Sequence, residues 1–168
     1  MYFQTIPTIN TPNRIAMNIS IEKKIFIEAV YKVARFAERK TTILPALSSI
    51  LILVADGSIK MRATNLEIGI DLTVPGKSTT DGVVAIPAYI LQQIAGSLVG
   101  EGTITIEHQG DSISLTSGMN RSLIKTTAYD DFPSIPFPEN PKNNITISGT
   151  ILRTLFTTLS SCASPSMI

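Results

Sequence analysis

Three apolar-alternating runs lie between residues 48 and 74, in the stretch SSILILVADGSIKMRATNLEIGIDLTV. In the first run Ile50, Ile52 and Val54 alternate against Leu51 and Leu53. Asp56-Gly57 separates the first two runs, and these residue types readily adopt the positive φ angles of a two-residue hairpin turn. The pattern therefore predicts a β-hairpin. The third run, from Glu67 to Val74, predicts another strand, which Pro75-Gly76 ends.

A segment whose apolar residues have the period of a helix precedes these predicted strands. After a short predicted strand from Asn18 to Ile21, apolar residues recur every three or four positions, which indicates an amphipathic helix with one buried face. We expect Ser20 to be its N-cap, and a loop that begins at Arg39 to contain Pro45. The predicted buried residues of this helix are Phe26, Ala29, Val30, Val33 and Ala37.

The same order of elements returns in the second half of the chain. Val83 to Ile86 predicts a strand, Pro87 stands where a first helical residue tolerates proline, and the helix after it closes near Gly100. The predicted buried residues of this second helix are Ile90, Leu91, Ile94, Ala95 and Leu98. Three further strands are predicted at Thr103 to Glu107, Ser112 to Ser117 and Ser122 to Thr126. The order strand, helix, three strands thus occurs twice.

A longer period is also present. Seven apolar positions of the first strand and helix match apolar positions 126 residues later, from Ile145 on Ile19 to Ala163 on Ala37, and such self-similarity indicates a repeated unit. We therefore expect one domain at 17–138. Residues 139–168 are expected to be a linker and the first strand and helix (Thr150 to Ala163) of a truncated second domain, so that the chain is a fragment. Residues 1–16 show no period and are expected to be a disordered lead-in or tag, with Met17 as a candidate start.

Composition narrows the class of protein. Apolar residues make up 43% of the chain and charged residues 16%, which is typical of a globular protein. No apolar run reaches the roughly 18 residues that a membrane-spanning helix needs, and the first residues do not have the pattern of a secretory signal. One cysteine, Cys162, excludes an internal disulfide, so the expected location is a reducing cytoplasm.

Positive charge is concentrated in one segment, although the net charge is only +1. Residues 22–40 hold six basic and three acidic side chains, a balance of +3, whereas residues 41–168 hold seven basic and ten acidic ones, a balance of −3. On a helical wheel the stripe opposite the apolar one contains Lys24, Glu28, Arg35 and Arg39, with Lys32 beside them. A helix with one apolar and one mostly basic face favours a polyanionic partner.

Residues suited to catalysis or metal binding do not form a recognisable motif. The only histidine, His108, precedes a Gln-Gly-Asp turn and is expected to be exposed, whereas Cys162 falls among apolar helix positions and is expected to be buried. Asp130 and Asp131 would point opposite ways in extended backbone, which favours a loop role over a metal site. The stretch GSLVGEG lacks the context of a phosphate-binding loop and indicates a helix end. We expect no catalytic residue, no metal and no cofactor.

Five stretches together resemble the bacterial DNA polymerase III beta subunit family, the replication sliding clamps. They are MNISIEKKIFIEAVYKVA, ERKTTILPALSSI, LILVADGSIKMRATNLEIGI, AIPAYILQQI and SGMNRSLIKTTAYDDFPSIP. The combination of ADG turn, TNLE junction and DDFP exit is more specific than any one of them, and the resemblance covers about Met17 to Ile168. It implies an α+β DNA clamp fold, in which two strand-helix-three-strand units with pseudo-twofold symmetry place helices on one face of antiparallel sheets.

The resemblance implies a processivity factor rather than an enzyme. Three such domains per chain would pair with a second chain in a homodimeric ring that encircles duplex DNA of any sequence and tethers the replicative polymerase during DNA replication. Lysine and arginine facing the phosphates supply attraction without sequence information. The polymerase III alpha subunit and the clamp loader would bind through domains nearly absent from this chain.

The expected DNA contacts have two sources. Arg39 and Lys40 match the basic loop position of the family that touches the duplex backbone, and Arg153 begins the equivalent helix of the second repeat. The helical stripe adds Lys24, Lys32 and Arg35. A subunit interface is expected at the strand pair Asp111 to Ser117 and Arg121 to Thr126, because an exposed sheet edge invites further pairing. The residues expected in that interface are Arg121 and Ile124.

Two features depart from the family pattern. The second helix presents outward four uncharged residues, where clamps usually offer Lys or Arg: Tyr89, Gln92, Gln93 and Gly96. The loop RKTTILPAL has one residue more than expected between its basic position and its proline, which leaves Arg39 and Lys40 as alternatives.

Two functions of other classes stay open on the residues alone. One is a fragment of an α+β enzyme whose catalytic groups lie in a missing C-terminal part. The other is a stand-alone module that binds protein through its sheet edge.

Overall fold

The computed structural model describes residues 17–38, 44–133 and 146–162. The chain divides into two compact units, one within residues 1–135 and the other within residues 136–168. Each unit is described by itself.

Strands and helices follow one another in the first unit in the predicted order, with one additional strand. The elements are β1 (Asn18–Glu22), α1 (Lys23–Val33), β2 (Ser49–Ala55), β3 (Ser58–Thr64), β4 (Gly69–Val74), β5 (Lys77–Thr80), β6 (Gly82–Pro87), α2 (Ala88–Ser97), β7 (Thr103–Gln109), β8 (Ser112–Ser117) and β9 (Asn120–Lys125). Short 3₁₀ helices lie at Ala34–Phe36 and Pro45–Ser48. The addition is β5, which the sequence did not reveal because KSTT contains no apolar residue to alternate.

The two halves of this unit exchange their first strands. One sheet has five strands in the order β5-β1-β7-β8-β9, and the other has four in the order β4-β3-β2-β6. Glu22 at the end of β1 lies opposite Thr103 at the start of β7, and Pro87 at the end of β6 lies opposite Ser49 at the start of β2. Positions 22 and 87 are therefore equivalent, and the helices that follow them align with the same offset of 65 residues.

Two turns show how the sequence directs the chain through the four-stranded sheet. Asp56 and Gly57 have φ angles of +51° and +75°, as the predicted β2–β3 hairpin requires. In the next turn, the Asn65 Oδ1 atom accepts hydrogen bonds from the N–H groups of Glu67 (3.1 Å) and Ile68 (2.9 Å). Because this side chain holds both residues in the turn, β4 begins at Gly69, two residues later than predicted.

A single apolar core joins both helices to the inner faces of both sheets. Phe26 and Val33 of α1 and Leu91 of α2 are fully buried, and they belong to one cluster with Ile52 of the four-stranded sheet and Ile106 of the five-stranded sheet. Burial of one such side chain stabilises a fold by about 1.5–3 kcal/mol. All five residues predicted to be buried in the first helical stripe are buried, which confirms the predicted α+β arrangement of helices on antiparallel sheets.

Strand β2 of the four-stranded sheet is buried on its outer face as well. Residues 49–54 of β2 are all buried, and Leu51 packs there with Ala85 and Phe132. The chain returns to this face after β9, where the N–H of Thr127 donates to the carbonyl of Ala85 at 2.9 Å. A continuous apolar run such as ILILV is typical of a strand covered on both faces.

Two predicted helix starts and one predicted buried residue were wrong, each for a local reason. Glu22, not Ser20, is the N-cap of α1, because β1 keeps its pairing with β7 through Glu22. Pro87 ends β6 and is not the first helical residue. Ile90 is 39% exposed, since Ala88, Leu91 and Ala95 form the buried stripe of α2.

The second unit contains α3 (Gly149–Cys162) among its described residues, at the position of the predicted helix. Residues 146–148 before it are irregular, so the strand expected around Ile147 is not formed there. Cys162 is exposed, contrary to the prediction, and the structure describes no strand of the second unit on which its helix could bury an apolar face. The proposed lead-in at 1–16 lies outside the described residues, and the domain limits at 138 and 139 stay a prediction.

Candidate nucleic-acid interface

The outward side of α1 and of the turn after it forms a cationic face, which comprises Lys24, Glu28, Lys32 and Arg35. All four side chains are exposed, because the apolar stripe of the same helix is held in the core. The helix rises about 12 Å between positions 24 and 32, and Arg35 extends the face by almost one more turn. The structure thus brings together three of the predicted cationic residues.

The charges on this face are only partly neutralised. The Lys32 Nζ atom lies 3.8 Å from Glu28 Oε2, and the two side chains are 63% and 54% exposed, so the pair contributes only about 0.3–0.5 kcal/mol. Within the parts of the chain that the structure describes, neither Lys24 nor Arg35 forms an ion pair. Two exposed cations are therefore available to a polyanion.

A shallow groove of about 380 Å³ runs along the cationic face. Its lining combines charge with an apolar floor and an aromatic ring, from Ile27, Glu28, Tyr31, Lys32 and Arg35. A groove of this composition offers charge to a phosphate backbone and carries no base-specific arrangement of donors.

Lys23 does not belong to the cationic face, although its charge was included in the sequence count. Its side chain is buried, and its Nζ atom donates to the carbonyl oxygens of Val99 (2.9 Å) and Glu101 (3.2 Å). The Lys23 backbone N–H donates to the carbonyl of Gly102 at 2.8 Å. The residue therefore fastens the loop after α2 to the start of α1, and sequence periodicity gave no signal for this role.

The equivalent side of α2 carries no charge. Tyr89 and Gln93 are exposed, as predicted, whereas Gln92 is half-buried. The Gln93 Nε2 atom donates to the Tyr89 hydroxyl at 2.7 Å. Gly96 faces α1, where a Cβ atom on it would lie 2.8 Å from the hydroxyl of Tyr31. The outer side of α2 is thus uncharged in the structure, as its sequence indicated.

Three further predicted DNA contacts belong to other parts of the chain. Arg39 and Lys40 lie outside the described residues. Arg153 is an exposed residue of α3 in the second unit. The role of all three stays a prediction.

The predicted subunit interface lies at an edge, since β9 is the last strand of the five-stranded sheet. The Arg121 Nε atom donates to Ser114 Oγ at 2.8 Å, which holds the guanidinium against the outer face. Ile124 is 3% exposed and packs in the core, so its side chain is not available to a partner, contrary to the prediction. Leu123, on the opposite side of the strand, is 68% exposed.

Other candidate groups are placed as follows. His108 lies within β7 opposite Ile113 and is half-buried rather than exposed in a turn. In residues 17–38, 44–133 and 146–162, His, Cys, Asp and Glu nowhere gather in a group of three or more with metal-binding geometry. The helices of these segments include none with the length and apolar character of a membrane span.

Comparison with known proteins gives a consistent result. The family model for the N-terminal domain of the DNA polymerase III beta subunit matches residues 17–136. A beta sliding clamp of Pseudomonas aeruginosa is 28% identical over 141 residues, which are 83% of this chain and 38% of that relative. One of Vibrio harveyi is 29% identical over 121 residues, which are 71% of this chain and 82% of that relative.

Solved structures show the same fold. The crystal structure of the DNA polymerase III subunit beta from Pseudomonas aeruginosa has a TM-score of 0.73 at 24% identity, and the match covers 83% of this chain and 38% of that one. A sliding clamp from Bartonella birtlesii, bound to griselimycin, has a TM-score of 0.67 at 27% identity and covers 73% and 33%. The chain therefore spans roughly a third of the length of these full clamps.

Proposed function

The chain belongs to the DNA polymerase III beta subunit family, and from this premise we propose that it is part of a DNA sliding clamp. In this role the chain performs no bond-breaking step. It supplies a section of a ring that encircles duplex DNA and keeps the replicative polymerase attached during replication. The cytoplasm, where bacterial DNA is replicated, is the proposed location.

The observation that carries this proposal is the cationic face of α1. Lys24, Lys32 and Arg35 project from the outer side of a helix whose inner side is anchored by Phe26 in the core. Exposed lysine and arginine attract phosphates of any sequence, while the rigid core fixes their spacing. A surface of this kind suits a protein that must move along DNA without reading bases.

Weak attraction is sufficient for a ring. Nonspecific contacts with duplex DNA give dissociation constants of roughly 10⁻⁴–10⁻⁶ M at physiological salt, which is too weak for long residence of an open protein. Closure around the duplex would supply the residence time by topology, and weak contacts would permit sliding.

Three partners follow from the same proposal. A second copy of the full protein would complete the ring, with the β9 edge of this chain, including Arg121 and Leu123, in the subunit contact. The polymerase III alpha subunit and the clamp loader would bind regions beyond the part of the clamp that this chain spans. Arg39, Lys40 and Arg153 are proposed as further DNA contacts.

The proposal is tested by loading the full-length protein onto a nicked circular plasmid and isolating the complex by gel filtration. Protein held by topology stays with the circle and is released when a restriction enzyme linearises it. Equal retention on circular and linear DNA would contradict encirclement.

A further inference from the structure

Tyr31 occupies the middle of the cationic face, between its charged residues. Its side chain is 44% exposed, and it lines the groove with Ile27, Lys32 and Arg35. Residues three and four positions apart are neighbours on a helix surface, so Ile27 and Arg35 flank the ring on either side. The tyrosine is therefore part of the surface that the proposed function assigns to DNA.

The opposing helix leaves room for this ring. Position 96 is equivalent to position 31 under the offset of 65 residues, and it holds glycine. A Cβ atom on Gly96 would lie 2.8 Å from the Tyr31 hydroxyl, and glycine inside a helix costs about 1 kcal/mol relative to alanine. Positions 31 and 96 thus face each other across the helix pair, and the side chain of Tyr31 extends over Gly96.

Within the described part of the chain, the Tyr31 hydroxyl is left without a hydrogen-bond partner, although a phenolic hydroxyl is both a donor and an acceptor. Its charged neighbours on the helix are Glu28, Lys32 and Arg35, of which Glu28 and Lys32 neutralise each other in part at 3.8 Å. The hydroxyl is thus a neutral donor beside the cationic side chain of Arg35.

We propose that the Tyr31 hydroxyl donates a hydrogen bond to a phosphate oxygen of the duplex and positions the backbone between Lys24 and Arg35. This inference rests on the proposed function and adds a residue to it. Tyrosine is among the side chains that contact DNA phosphates. Because the contact is neutral, it displaces no counterion and should not alter the salt dependence of binding, which follows the number of phosphates neutralised by cations.

The test measures binding of the full 168-residue chain to a fluorescent 30-base-pair duplex over a series of salt concentrations. Tyr31→Phe should weaken binding about three- to tenfold at every salt concentration, the range expected for one lost hydrogen bond, with an unchanged slope of log K against log salt. Arg35→Gln should lower that slope by about 0.9. Tyr129→Phe makes the same chemical change on the outer face of the four-stranded sheet and should leave binding unchanged.

Each alternative outcome has a distinct meaning. Tyr31→Phe binding like the wild type, with Arg35→Gln weakened, overturns the role of Tyr31 and leaves the proposed function standing. A changed salt slope in Tyr31→Phe overturns the neutral contact. Failure of the wild-type chain to bind duplex at any salt concentration overturns the assignment of the cationic face to DNA and with it the role of Tyr31, whereas encirclement by the ring is decided separately by the plasmid experiment. Thermal unfolding of the Tyr31→Phe variant should match that of the wild type, because the hydroxyl has no described partner in the fold.

Discussion

The two helices α1 and α2 occupy equivalent places in the two halves of the domain but present different surfaces. Their inner residues Phe26 and Leu91 are equivalent and both fully buried. Their outer residues differ, since Lys24 and Glu28 of α1 correspond to Tyr89 and Gln93 of α2. Packing against a shared core constrains the inner stripe in both halves, whereas the outer stripe is free to differ. The charge required for the proposed DNA contact is therefore supplied by one helix of the pair.

The largest expected effect concerns what the two helices share. Phe26→Ala should lower the free energy of unfolding by about 3–5 kcal/mol and Leu91→Ala by about 2–5 kcal/mol, because each leaves a cavity in the same core. Chemical denaturation measures both. A loss below about 1 kcal/mol for either variant would show that its helix packs loosely and that the equivalence of the two halves is only topological.

Reversal of charge on α1 tests whether this helix, rather than α2, supplies the attraction for duplex DNA. Lys24→Glu with Arg35→Glu should weaken duplex binding by more than about tenfold at low salt and lower the salt slope by about 1.8, since two phosphate contacts are lost. Unfolding should change by less than about 0.5 kcal/mol, because both side chains are exposed.

The matched control for this reversal is Lys60→Glu with Lys125→Glu. It makes the same change in net charge at positions that alternate with core residues on the outer faces of the two sheets. Equal loss of binding in both double variants would mean that overall charge, and not the cationic face, drives the attraction.

Replacement of Lys23 should show that its ammonium group anchors the loop after α2. The equivalent residue of α2 is Ala88, whose side chain has no donor for such a contact. Lys23→Met removes a donor from the carbonyl groups of Val99 and Glu101, and we expect a loss of about 1–2 kcal/mol, with faster hydrogen exchange in the loop after α2. Lys24→Met, one residue along but exposed, should change stability by less than about 0.5 kcal/mol. Similar effects of both variants would contradict the anchoring role of Lys23.

The smallest expected effect comes from adding charge to α2. Tyr89→Lys with Gln93→Lys should strengthen duplex binding a few-fold and steepen the salt slope by up to about 1.8. The slope reports whether the new lysines reach phosphates. An unchanged slope would place the outer side of α2 away from the DNA and restrict the interface to α1.

Much of the fold was predictable because it depends on local patterns. The Asp56-Gly57 hairpin needed only residue types that tolerate positive φ angles, and the buried stripe of α1 needed only helical spacing. The run ILILV contained a further signal, since unbroken apolar character predicts a strand covered on both faces. Phe132 and Ala85 supply that cover, but no local pattern identified them.

The candidate site was predictable only in part. Lys24, Lys32 and Arg35 were placed correctly on an exposed face because a helical wheel depends on sequence spacing alone. The buried, anchoring position of Lys23 was not predicted, since the carbonyl groups that bind its ammonium lie more than seventy residues away along the chain. Ile124 was assigned to the wrong side of β9 because a strand's register decides which residues face the core.

The amino-acid sequence by itself determined the order of strands and helices, the faces that they bury and the concentration of positive charge in residues 22–40. Tertiary structure alone decided that β1 and β6 change places between the two sheets, that Tyr31 extends over Gly96, and that Lys23 is a buried anchor. The physical reason is the range of the interactions. Periodicity and turn preference act between near neighbours in sequence, whereas strand exchange and buried polar contacts depend on residues that only the folded chain brings together.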